Sequence, residues 1–225
     1  MANSIAARMT FENARALAAS QGFGLQAAKC TQSFIRTEVA VSSSTAQYQL
    51  PILVSAANSS TNASRVLNKF LNLQDLFYVS EIGFFLTVAS ATAVNGKLYT
   101  YPNKTAFATG STALNAVYNG QLSITINNEQ VLPAWDVNRS WKSNQTQENT
   151  NFNVASTTSP AQFTIDQADL SCDGFYPCEP GIILNGAANI QANLTLPGAV
   201  STVDANTAIV TIFRGVLIQN ATTVR

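Results

Sequence analysis

The 225-residue chain carries 12 basic and 12 acidic side chains, so its formal net charge is zero and only 11% of it is charged. Without a field of either sign, a basic nucleic-acid-binding surface or attraction to an acidic membrane has no support. The absence of histidine excludes Ser-His-Asp and Cys-His nucleophile systems outright.

The N-terminal stretch MANSIAARMTFENARALAASQGFG lacks the continuous apolar core of a signal peptide, so the product is expected to be made and kept in a cytosol. From Thr10 to about Gln32 the residues predict a helix. Thr10 can cap it, Ala14, Ala16, Leu17, Ala18 and Ala19 favour it, and Gly22-Phe23-Gly24 should end or interrupt it. Its apolar side chains are small and bury little alone. Residues 1–32 are therefore expected to form an arm that docks on the domain or on a neighbouring copy, with Phe11, Leu17 and Phe23 as contacts.

Residues 33–225 are expected to form a β domain. Phe34 to Val41 and Tyr48 to Val54 are β-branched and aromatic and flank the polar run SSSTAQ, which predicts a hairpin with Pro51 at an edge or bulge. Ala56 to Ser64 reads as a loop. The most apolar segment is Leu71 to Ser90, LNLQDLFYVSEIGFFLTVAS. In it Leu71, Leu73, Leu76 and Phe77 have the spacing of a short helical turn, and Phe77 to Val88 reads as a strand buried on both faces. This run is too short to cross a bilayer. Glu81 within it is expected at a bulge or strand edge, facing solvent, because carboxylates are seldom buried unpaired.

Asn95-Gly96 predicts a tight turn, Leu98 to Tyr101 a strand, and Asn119-Gly120 a second turn. Leu122, Ile124 and Ile126 alternate with Ser123, Thr125 and Asn127, the signature of a half-buried strand; Asn127-Asn128 turns the chain toward Trp135. Arg139 to Pro160 lacks apolar periodicity and reads as a long polar surface loop, expected to meet a neighbouring subunit. Strands are expected again at Ala161 to Ile165 and Gly181 to Leu184. Phe175-Tyr176-Pro177, with Pro180, looks like a rigid rim turn. After the Asn185-Gly186 turn, Ile190, Ala192, Leu194 and Leu196 alternate with polar residues up to Pro197-Gly198. The last strand, Thr207 to Ile218, is apolar on both faces at Ile209 to Phe213 and should lie centrally.

Many short strands, Asn-Gly turns and one helix define an all-β sandwich or barrel. No catalytic residue, cofactor site or metal site is assigned. Glu81, Asp136, Glu148, Asp166, Asp169, Asp173 and Glu179 are the acids a glycosidase would draw on, and none forms a Glu-x-Asp-x-Glu pattern. The Asp166, Asp169, Asp173 spacing matches no EF-hand loop, and Cys30, Cys172 and Cys178 without histidine make a zinc site improbable. Cys172 and Cys178 enclose DGFYP, a loop able to accept a disulfide; small buried thiols are the simpler expectation. Trp135, Trp141, Tyr99, Tyr101 and Tyr176 are either a sugar-binding platform or core closure and interface anchors, with Arg139 placed to stack on a tryptophan.

Three segments carry a resemblance: LNLQDLFYVSEIGFFL at 71–86, YNGQLSITINN at 118–128, and DGFYPCEPGIILNGAANIQANLTLP at 173–197. In texture and order they resemble virion structural proteins of bacteriophages. The resemblance implies a capsid or capsid-associated protein, made in the host cytoplasm and then part of the virion, on a jelly-roll β-sandwich. Its partners would be copies of itself and other virion proteins, with no specific nucleic acid binding and no transmembrane segment. Phe11, Leu17, Phe23, Trp135, Arg139, Trp141, Phe152 and Tyr176 are the expected interface residues. The alternative from another class is a carbohydrate-binding module or adhesin built around Trp135 and Trp141; a β-sandwich glycosidase is third.

Overall fold

The computed structural model describes residues 2–50, 52–54, 70–88, 97–103, 106–107, 109–142, 174–201, 203–204 and 206–223. Within these the chain runs α1 (Ala2–Ser20), β1 (Phe23–Gly24), β2 (Lys29–Ala40), β3 (Gln47–Leu50), β4 (Leu53–Val54), β5 (Phe70–Leu71) and β6 (Leu76–Val88). It continues through α2 (Asn115–Tyr118), β7 (Gln121–Ile126), β8 (Glu129–Asp136), a 3-10 turn (Val137–Ser140), β9 (Phe175–Asn185), β10 (Ile190–Thr195), β11 (Thr207–Gln219) and β12 (Thr222–Thr223).

Two four-stranded sheets dominate, ordered β2-β11-β6-β9 and β3-β10-β7-β8, and every pairing within them is antiparallel. The order is nested. The outermost pair in sequence is β2 with β11, then β3 with β10, then β6 with β9, and the innermost is the β7–β8 hairpin. Successive pairs lie in alternate sheets, apart from the junction inside the last hairpin, so the chain crosses the sandwich at nearly every connection.

Alternation puts the core between the sheets. Ile35, Phe77, Val79, Phe84, Ile209 and Phe213 from one sheet meet Tyr48, Leu50, Leu122, Ile124, Ala192 and Leu194 from the other. Phe77, Phe84 and Phe213 are fully buried, and each such side chain contributes roughly 2–3 kcal/mol by leaving water. β11 is central, between β2 and β6, and β6 is central, between β11 and β9, as the two-faced apolar runs predict. A second cluster forms on the outer face of β6, β9 and β11, where Ala14 and Ala18 of α1 meet Leu76, Tyr78, Ile183, Val216 and Ile218.

Glu81 and Gly215 mark a bulge. The β6–β11 register shifts between Arg214 and Gly215, leaving Ser80 as the extra residue between Val79 and Glu81. Its hydroxyl donates to the Arg214 carbonyl at 3.2 Å. A Cβ on Gly215 would collide with the Tyr78 carbonyl, so only glycine permits this approach. Further along, β9 stops pairing with β6 at Gly83. The buried Ser140 hydroxyl then accepts from Phe84 N–H at 3.2 Å, and Tyr99 exchanges both backbone bonds with Leu86 at 2.8 Å. These bonds serve backbone groups of Phe84 and Leu86 that β9 does not reach.

Several expectations are corrected. The helix begins at Ala2 and ends at Ser20, and Lys29 to Gln32 belong to β2; Gly22 at φ +83 stops it. β2 and β3 lie in different sheets, so the predicted hairpin is a crossover. Leu71 to Phe77 forms the end of β5, a turn and the start of β6, with no helical turn. Leu98 to Tyr101 contributes a single bridge at Tyr99. Phe175-Tyr176-Pro177 and Pro180 lie within edge strand β9, not in a rim turn. The turns at Asn127-Asn128 and Asn185-Gly186 are present, the former with both asparagines left-handed at φ 48 and 69, which suits a two-residue hairpin.

Candidate assembly surface

The expected contact residues fall into separate places. Phe11, Leu17 and Phe23 are partly buried and pack with Ala14 and Ala18 against the outer face of the β2-β11-β6-β9 sheet of their own chain. Phe11, Ala14 and Ala18 recur at helical spacing, so they share one face; Glu12, Asn13, Arg15, Ala16 and Ala19 are exposed. Because Ala14 and Ala18 are small, the helix backbone approaches the sheet closely while burying little side chain. Beneath it, burial raises the Tyr78 hydroxyl pKa, with smaller contributions from Cys178 and Glu179.

Trp135, Arg139 and Trp141 are neighbours in sequence and share one end of the sandwich. Trp135, 7% exposed, closes the core, and the Arg139 guanidinium lies over its ring at 5.1 Å from the centroid. Trp141 is partly buried against Tyr118, edge-on at 5.0 Å, and Tyr101 at 6.5 Å. Tyr118 is buried, its hydroxyl donating to the Tyr99 carbonyl at 3.1 Å, and burial strongly raises its pKa. Tyr99 meets Phe107 edge-on at 5.3 Å. These rings serve one another and the core. A sugar platform needs a flat, open aromatic face, and neither tryptophan offers one. Tyr176 is more open, at 37% exposure.

Glu81 lies at the bulge of a central strand, half-exposed and 3.9 Å from Arg214. The Arg214 guanidinium also sits 3.4 Å from the Phe175 ring centroid, and Phe175 packs on Phe85. A solvated carboxylate beside a guanidinium is an ordinary surface pair. Cys178 is a buried free thiol, held protonated by burial with its pKa pushed up to about 11. Among the described residues no group of three or more His, Cys, Asp or Glu could hold a metal ion, and no helix is long and apolar enough to cross a membrane. Phe152, Cys172, Glu148, Asp166, Asp169, Asp173, Pro51, the Asn95-Gly96 turn, the strand at 161–165 and loop residues 143–160 lie outside the described residues.

No protein-family model, curated protein or solved structure matches the chain.

Proposed function

We propose that this chain is a virion structural protein, a capsid or capsid-associated subunit of a bacteriophage, built as a jelly roll and acting by protein–protein contacts. The observation that carries the reading is the nested strand order. An antiparallel ribbon whose pairs are β2/β11, β3/β10, β6/β9 and β7/β8, with alternate pairs in opposite sheets, supports the jelly-roll reading over other sandwich connectivities.

Jelly rolls serve capsids, lectins and cupins. A cupin metal site draws on histidine, which this chain lacks. Glycan binding is weakened by the inward or packed placement of Trp135 and Trp141. Assembly fits a neutral chain best, because copies at zero net charge do not repel one another at long range. Fold alone does not fix function, so the test is functional. Purified protein is run on a glycan array and, in parallel, by light scattering across concentration. Discrete multimers with an empty array support the reading; saturable glycan binding by a strict monomer favours the adhesin alternative.

A further inference from the structure

The two outer faces of the sandwich are built differently. One is covered by α1 over its Leu76, Tyr78 and Val216 end and carries the Glu81–Arg214 pair beyond. On the other sheet, Tyr48, Leu50, Leu122, Ile124, Ala192 and Leu194 point inward, so the residues between them point out. The register sets these in rungs: Gln47, Thr195 and Gln121; Gln49, Asn193 and Ser123; Gln191, Thr125 and Gln130. Every member named is an uncharged hydrogen-bonding side chain, and on edge strand β8 the middle rung ends at exposed Pro133 and Ala134, also uncharged. The first charge along a rung is Asp136, beside Gln121 on edge strand β8, and its carboxylate accepts from Asn138 N–H at 3.0 Å.

Sheet surfaces that must stay in water usually mix Lys and Glu among their polar residues, which repel a second sheet. An amide face does not. Each Gln or Asn offers both donors and acceptors, so the face complements itself under a two-fold rotation. No aromatic ring interrupts the rungs, which disfavours a glycan as occupant. Edge-to-edge pairing is disfavoured by Pro133 within β8 and by the register shifts there.

We infer that this amide face is a homotypic contact, packing on the same face of a second copy. The inference deepens the assembly reading above and rests on it. Strands of about six residues at ~3.3 Å per residue, set ~4.8 Å apart, give a face of roughly 400 Å² per copy. That is about 800 Å² across the contact, below the ~1,200–2,000 Å² of stable stand-alone complexes. The contact is therefore weak alone and works where other contacts already hold the copies together.

The test uses the full chain and reads association by sedimentation at low ionic strength. Gln191 and Thr195 are both exposed on β10. One variant carries Gln191→Lys and Thr195→Lys, a second Gln191→Glu and Thr195→Glu, and a control Asn13→Lys and Ala16→Lys on the exposed side of α1. Expected is association weakened about tenfold or more in each β10 variant, restored on mixing the two, and equalised by salt above about 0.5 M. The control should match the parent. Matching thermal melts establish that the variants fold; should a pair fail, Gln49→Lys and Gln49→Glu on β3 carry the same comparison. If both charged variants assemble like the parent, the contact lies elsewhere and the inference fails while the assembly reading stands. Weakening without restoration on mixing overturns a homotypic contact. A parent that is monomeric at every concentration removes both readings.

Discussion

Asp75→Ala should cost more than its place in a turn suggests. The residue is 5% exposed and lies where three turns meet. Its Oδ2 accepts from Asn72 Nδ2 at 2.9 Å, and its Oδ1 accepts from Asn220 N–H at 3.2 Å. Its backbone carbonyl accepts from Gly186 N–H at 3.0 Å. One carboxylate thus ties the turn before β6 to the turn after β11, and its backbone adds the turn after β9. Truncation removes two hydrogen bonds to a charged acceptor, each worth about 1.5–3 kcal/mol. Asn72 and Asn220 are exposed, so their freed donors regain water and offset part of the loss. The net cost expected is about 2–4 kcal/mol. Asp75→Asn, which keeps the size but sets an amide against the Asn72 amide, should lose about half as much. Urea unfolding with an unchanged m-value reads the difference, and hydrogen exchange at Gly186 and Asn220 should quicken first. An alanine variant within about 0.5 kcal/mol of the parent, near the ordinary surface scatter, would refute the idea that this carboxylate holds the end together.

Gly215→Ala drives a Cβ into the Tyr78 carbonyl between two central strands; the expected result is a loss above about 4 kcal/mol or no soluble protein, and a melting curve like the parent's would contradict it. Glu81→Gln, by contrast, should change stability by less than about 1 kcal/mol, because the Arg214 pair is half-exposed. Alkali should destabilise the fold. Burial raises the pKa values of Cys178, Tyr78 and Tyr118 above their ordinary 9.0 and 10.0, so the unfolded chain releases those protons first. For Cys178 the contribution is complete below about pH 9 and lost as pH rises toward about 11. Urea midpoints at pH 7, 9 and 10.5 read this, and a midpoint flat over that range contradicts it. In the native protein an aromatic disulfide reagent at neutral pH should modify partly exposed Cys30 well before buried Cys178; equal rates would overturn the burial argument.

The strands were most legible where one physical pattern acted alone. Leu122, Ile124 and Ile126 alternate because one face of β7 meets the core, and Ile209, Val210, Ile212 and Phe213 put apolar side chains on both faces around Thr211 because β11 is covered on both sides. The sheet order was not legible. Whether Phe34 to Val41 and Tyr48 to Val54 pair or part depends on β11 and β10, which arrive more than 130 residues later and claim β2 and β3. The helix start was not legible because Asn3, Ser4 and Thr10 are all capping residue types, so local chemistry left the boundary open between them. Lys29 to Gln32, polar apart from Cys30 and exposed or half-exposed, form a strand only because β11 continues far enough to pair with them.

The contact residues were legible only by type. Phe11, Leu17 and Phe23 do converge, since helical spacing and the Gly22 stop bring them to one place. Trp135 and Trp141 gave no sign of which way they point, because burial of a tryptophan is set by distant partners such as Tyr118. The amide face is not legible in the sequence for a related reason. Its rungs join β3, β10 and β7, which lie far apart in sequence, and Gln or Asn in any single strand is unremarkable.

The most direct test of the assembly account is electron microscopy of the purified full chain over a range of protein and salt concentrations, with solution mass measured on the same samples. The account predicts discrete, concentration-dependent multimers, as rings, sheets or closed shells. A uniform field of 24.0 kDa monomers at the highest concentration and at every salt would contradict it.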